Sequence, residues 1–325
     1  MRLASLATIV ALCFGFATVS PAKDAAAPAK APAKKAPAAK APAAPKIKPN
    51  FENVPYGTHE RQVLDVYQAK SDKPTPVVFY IHGGGWQAGD KASAPASAYL
   101  NKGLSVVAIN YRYVKQAQEA GVKPPVEWPL HDAARALQFT RSKAKEWNLD
   151  PTRIGATGGS AGAASSLWLA FHPDMADPKS SDPVARESTR LTCAAVSGAQ
   201  TCFDPKLIRE WIPNITYGGH AYGFPGPEYK FEDFLAAREK VMPWILEYSP
   251  YHLVSKDDPP VLLEYKLAPP PKGETQKDAT HCASFGVGLG EKIKSVGGKV
   301  YYLWPGAPDM EYQSIADFLV EKLTK

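Results

Sequence analysis

The stretch that most restricts the fold is "RIGATGGSAGAASSLWLAFH" at 153–172. Its first seven residues read as a short buried strand, and from Ala161 onward the pattern is helical. A chain that passes from strand to helix with no linker must put Ser160 on a sharp turn with strained dihedrals. Small residues two positions before and after it, Gly158 and Gly162, let the backbone close up there. The helix beginning at Ala161 points its free N–H groups toward whatever reacts at the turn. Ser160 is therefore a candidate nucleophile, although a Gly-x-Ser-x-Gly string by itself is weak.

Such a turn needs a sheet around it, and the sequence supplies one. Apolar runs at 75–82, 104–113, 153–159, 191–199, 260–268 and 299–305 read as buried strands. Helix-like segments at 127–149, 161–172, 283–298 and 314–323 alternate with them. That rhythm predicts an α/β fold with a mostly parallel sheet and helices on both faces. The alternation in "VPYGTHERQVLDVYQAK" (54–70) predicts an antiparallel entry hairpin. Residues 203–248 break the rhythm; they are rich in Trp, Tyr, Pro and Gly and hold one helical piece, "FEDFLAAREKVMPWIL". A long insertion after a strand is often a cap over a site.

A second motif, "HGGGW" at 82–86, ends the strand at 75–82. Adjacent glycines let backbone N–H groups turn toward a ligand with no side chain in the way. Such donors suit a developing oxyanion, and losing one costs about 10²–10³ in rate. "IHGGGW", "VVAINYRY" and "DPTRIGATGGSAG", with their spacing, resemble the α/β-hydrolase fold. More narrowly they resemble hormone-sensitive-lipase-like and feruloyl-esterase-like carboxylesterases. The resemblance covers about 54–325, is strongest over 77–172 and is weak in the cap. It implies Ser160 as nucleophile and an oxyanion hole formed by the N–H groups of Gly84, Gly85 and Ala161. It leaves His82 a structural role.

In that family the acid follows the seventh strand and the histidine follows the eighth. Here "GAPDMEY" after the eighth strand has no histidine but carries Asp309, while the segment after the seventh carries Asp278 and His281, the last histidine of the chain. One reading is that the two loops have exchanged roles, giving Ser160, His281 and Asp309 as a triad, since a triad is defined by geometry rather than chain order. Asp278, three residues before His281, suits a helix N-cap and is the alternative acid. His220 in the cap is the alternative base. His131 and Asp132 fall in a predicted helix and read as structural. The string "GVGLG" also falls in a predicted helix and lacks the strand–turn setting of a dinucleotide loop. No His/Cys/Asp spacing suggests a metal, and no cofactor is expected.

The function expected is an exported serine carboxylesterase acting on a small-molecule or polysaccharide ester. A non-catalytic binding module on a degraded site and a serine peptidase are the alternatives. Residues 1–22 have a signal-peptide pattern, which would act as a membrane anchor if uncleaved, so a secreted or periplasmic location is expected. Residues 23–49 form an Ala/Pro/Lys-rich linker with too little apolar surface to fold. Residues 1–49 carry a net charge of +7 against +6 for the whole chain, so 50–325 sum to −1. The basic balance belongs to the tail and gives no reason to expect nucleic-acid binding. A weak contact of that tail with the envelope or cell wall is the other partner to consider. Three cysteines follow the leader, an odd count that excludes a full disulfide framework but leaves a Cys193–Cys202 bridge open.

Overall fold

Each apolar run becomes a strand in the computed structural model, which describes residues 47–226, 230–308 and 310–325. The expected leader, and the linker up to residue 46, lie outside the described residues. The strands are β1 (Phe51–Pro55), β2 (Val63–Tyr67), β3 (Thr75–Ile81), β4 (Ser105–Ile109), β5 (Leu149–Gly159), β6 (Cys193–Ser197), β7 (Val261–Glu264) and β8 (Val300–Leu303). They form an eight-stranded sheet in the order β1-β2-β4-β3-β5-β6-β7-β8. The expected entry hairpin is β1–β2, and β2 also pairs antiparallel with β4. From β4 through β8 every pairing is parallel.

The parallel strands read as unbroken apolar runs because both their faces are covered. Side chains alternate between two cores along one strand, as period-two geometry requires. Val77, Phe79 and Ile81 of β3 join Val107 and Ile109 of β4 in a core with Leu130, Leu137 and Leu167. Val78, Val106 and Ala108 face the other way, onto Tyr99, Phe318, Leu319 and Leu323. The helix Ala161–Phe171 is buried along its whole length, which explains why it is apolar all round and shows no amphipathic stripe.

β5 lies between β3 and β6, with Ile81 opposite Gly158 and Ser197 opposite Gly159. The C-terminal ends of these three strands therefore lie side by side, and the two glycine motifs with them. That edge is where open α/β sheets place their ligands.

The segment 203–248 follows β6. Its helical piece is broken at Ala237 into Phe231–Ala236 and Arg238–Tyr248, and a further helix, Pro205–Trp211, precedes them. Asp204 caps that helix and also receives Arg238 in a two-pronged ion pair, 2.7 Å on each side, which ties the pieces together. "GVGLG" lies in the helix Ser284–Ser295 as expected. Its glycines make room for aromatic rings, Gly286 for Tyr265 and Gly288 for Trp211. Cys193, Cys202 and Cys282 are buried free thiols, so the Cys193–Cys202 bridge is not formed. Burial pushes the Cys193 and Cys202 thiols up to about 12. No described helix is long and apolar enough to cross a membrane.

Candidate active site

Ser160 has φ 54° and ψ −122°, the left-handed region that a non-glycine residue adopts only under strain. Its neighbours explain how the turn closes. A Cβ on Gly158 or on Gly162 would overlap the Ile81 carbonyl oxygen, so β3 passes directly against the turn. The Ser160 N–H donates to Ser197 O at 3.0 Å, fixing the turn to β6 as well. Ser160 is thus held by both strands that flank its own.

The "HGGGW" loop is equally constrained. Gly84 (φ 105°) and Gly85 (φ 63°) both adopt positive φ. The Gly84 carbonyl accepts from Gln87 and Ala88 N–H groups at 3.0 Å each, which turns the loop back on itself. The N–H groups of Gly84, Gly85 and Ala161 donate to no protein group among the described residues. Trp86 donates its indole N–H to Ser165 Oγ at 2.9 Å, which joins the loop to the helix behind Ser160. His82 is buried, stacked on Tyr111, with Nδ1 donating to Gly83 O at 2.7 Å and Nε2 facing Arg61. These contacts fit the structural role that the resemblance implies.

His281 brings the third element. Its Nε2 lies 3.1 Å from Ser160 Oγ. Its Nδ1 donates to Asp278, at 2.9 Å to Oδ2 and 3.1 Å to Oδ1. Asp278 also caps the short turn Ala279–His281, accepting from the His281 backbone N–H at 3.2 Å. One carboxylate thus serves as turn cap and ring partner together. Partial burial pushes the Asp278 carboxyl up, but the hydrogen bond and charge of His281 outweigh it and hold it below the usual range. The carboxylate that the described residues bring to His281 is Asp278, and both come from the segment after β7. Asp309 lies outside the described residues, and the single hydrogen that a neutral ring carries on Nδ1 is already taken by Asp278.

His220, the alternative base, has other neighbours. Its Nε2 donates to Gly85 O at 2.9 Å, clamping the glycine loop from the cap, and Tyr217 packs edge-on against its ring. Sequence reasoning missed this contact because it spans 135 residues. His131 stacks on Trp168, and Asp132 receives Arg112 and Gln62, contacts that fit the structural reading of both.

Ser160, His281 and Asp278 line a cavity of about 440 Å³ together with Lys266, Leu267 and Gln276. The side chains of His281 and Asp278 are 40% and 61% exposed, so a substrate can reach them from solvent. A larger cavity of about 640 Å³, between 118–125 and the cap helices, touches none of the three. Among the described residues no group of three or more His, Cys, Asp or Glu could hold a metal ion.

The two clamped histidines set a pH dependence of stability. Burial lowers both His82 and His220 to about 4. The unfolded chain takes up these protons near 6.5, whereas the folded rings resist until about 4. The stability they contribute is complete above about pH 6.5. It is lost as pH falls toward 4, by up to about 3 kcal/mol per ring. Urea unfolding at pH 7.5 and pH 5 should show a clear drop in the midpoint at the lower value; equal midpoints would contradict burial of two neutral rings.

A strained serine on a strand–helix turn, a glycine loop of free N–H groups beside it and a histidine at the C-terminal sheet edge define the α/β-hydrolase fold. The chain belongs to the BD-FAE family, whose model matches residues 64–265. It is 31% identical over 128 residues to Gut esterase 1 of Caenorhabditis elegans, covering 38% of this chain and 23% of that protein. It is 33% identical over 151 residues to the probable carboxylic ester hydrolase LipM of Mycobacterium tuberculosis, covering 44% and 32%. The chain thus spans about a quarter to a third of the length of these curated relatives. Among solved structures it superposes on a truncated carbohydrate esterase from gut microbiota with a TM-score of 0.62 and 21% identity, covering 85% of this chain and 96% of that one.

Proposed function

We propose that this chain is an exported serine carboxylesterase. The observation that carries the reading is the continuous line Ser160 Oγ – His281 Nε2, His281 Nδ1 – Asp278. Ser160 attacks the ester carbonyl while His281 takes the hydroxyl proton. Asp278 holds the ring in the Nδ1–H tautomer, leaving Nε2 free to accept that proton. The N–H groups of Gly84, Gly85 and Ala161 receive the negative charge on the carbonyl oxygen. His281 then returns the proton to the departing alcohol, and water releases the acid by the reverse sequence. The leader and the Ala/Pro/Lys tract are read as export signal and spacer.

A carbohydrate ester is the substrate class favoured, because the cavity is open to solvent and the likeness to a carbohydrate esterase runs nearly the full length of that chain. The test is labelling by a fluorophosphonate probe, followed by hydrolysis of p-nitrophenyl acetate and of an acetylated oligosaccharide. Labelling with turnover of both supports the reading. Turnover of the aryl ester alone removes the carbohydrate assignment. Absence of labelling leaves a binding module.

A further inference from the structure

Gln200 is fully buried just beyond β6 and takes no part in the chemistry described above. Its side-chain amide donates to Thr280 O at 2.7 Å and to Gly198 O at 3.1 Å. Both amide hydrogens are therefore used, while Oε1 is buried with no partner. A buried carbonyl left unpaired is a standing cost to the fold. Turning the amide over to relieve it would set Oε1 against two carbonyl oxygens, so the orientation is fixed.

The two acceptors lie on either side of the base. Thr280 O belongs to the same peptide unit as the His281 N–H. That unit is consequently held at both ends: Gln200 grips its carbonyl, and Asp278 accepts from its N–H at 3.2 Å. A fixed peptide plane fixes the direction in which the His281 side chain leaves the backbone. Gly198, the other acceptor, adopts φ 59° and sits behind the imidazole; a Cβ there would lie 3.3 Å from His281 Cδ2. Gln200 thus ties together the wall behind the ring and the backbone that carries it. Thr201, next in sequence, donates to Phe285 O at 2.7 Å and continues the same seam.

We propose that Gln200 is a positioning residue for His281, holding Nε2 on Ser160 by bridging Gly198 and Thr280. The inference rests on the esterase reading, in which His281 is the base. A turn exposed to solvent and anchored by a surface carboxylate needs a buried anchor on its other side, and Gln200 supplies it.

The test is a double-mutant cycle with an activated aryl ester, using Gln200→Met, which keeps the length and removes both donors, and His281→Ala. Gln200→Met should lower kcat by on the order of 10²-fold, as a small misplacement of a reacting group does, with KM within about threefold. Placed on His281→Ala, it should cause no further loss, because its effect passes through the ring. An unchanged kcat, or a loss that persists undiminished in the His281→Ala background, overturns the proposal. Should Gln200→Met fail to fold, Gln200→Ala removes the same donors and leaves room for water to pair the two carbonyls, and it carries the same cycle. Wild-type turnover by His281→Ala would instead sink the esterase mechanism itself, an outcome distinct from failure of the Gln200 arm.

Discussion

Ser160→Ala is expected to abolish fluorophosphonate labelling and to lower ester turnover by on the order of 10⁴-fold or more. The substitution removes only Oγ. Alanine has the same Cβ as serine, so it accepts the strained φ of 54° no worse than serine does. The Ser160 N–H to Ser197 O bond, which pins the turn, involves the backbone alone and survives. Melting temperature should therefore hold while activity disappears. Labelling that persists in this variant would place the nucleophile elsewhere.

The second large effect separates the two carboxylates. Asp278→Asn should reduce kcat by about 10³–10⁴-fold, because an amide in that place can present N–H groups to Nδ1 and favour the wrong tautomer of His281. Asparagine caps a turn as well as aspartate does, so the bond from the His281 backbone N–H should remain and stability should change little. Asp309→Asn should stay near wild type. The reverse pattern, with turnover lost at 309 and kept at 278, would return the acid to the loop after β8. Kinetics of both variants beside a thermal melt of each decide the matter.

The proposed nucleophile and the glycine loop are legible in the sequence because their constraints are local. Gly158 and Gly162 must lack side chains for reasons confined to one turn and the strand it touches, and that need is written in the adjacent residues. The acid is harder. An aspartate three residues before a histidine signals an N-cap, and Asp278 is one; the sequence does not reveal that its Oδ1 also receives the ring of His281. The sequence offers Asp278 both as cap and as alternative acid, and the same atoms make both contacts. Contacts between distant segments leave no periodic trace at all. His220 on Gly85 and Gln200 on Thr280 both depend on how the cap and the loop after β7 fold back over the sheet edge. The break at Ala237 was invisible for a related reason: propensity favours one long helix there, and the Asp204–Arg238 pair favours two.

Placing the proposed acid and base on one short turn, three residues apart, changes which parts of the chain evolution can alter. In the arrangement that the family resemblance implies, a histidine beyond the eighth strand ties the C-terminal region to the chemistry. Here the proposed triad lies between 160 and 281, so on that reading the residues that follow β8 brace the sheet and supply none of its members. Insertions, deletions or fused segments at that end can accumulate without displacing a reacting atom. The price falls on the loop after β7, where lengthening Ala279–His281 by a single residue would part the ring from its carboxylate and from Ser160 together.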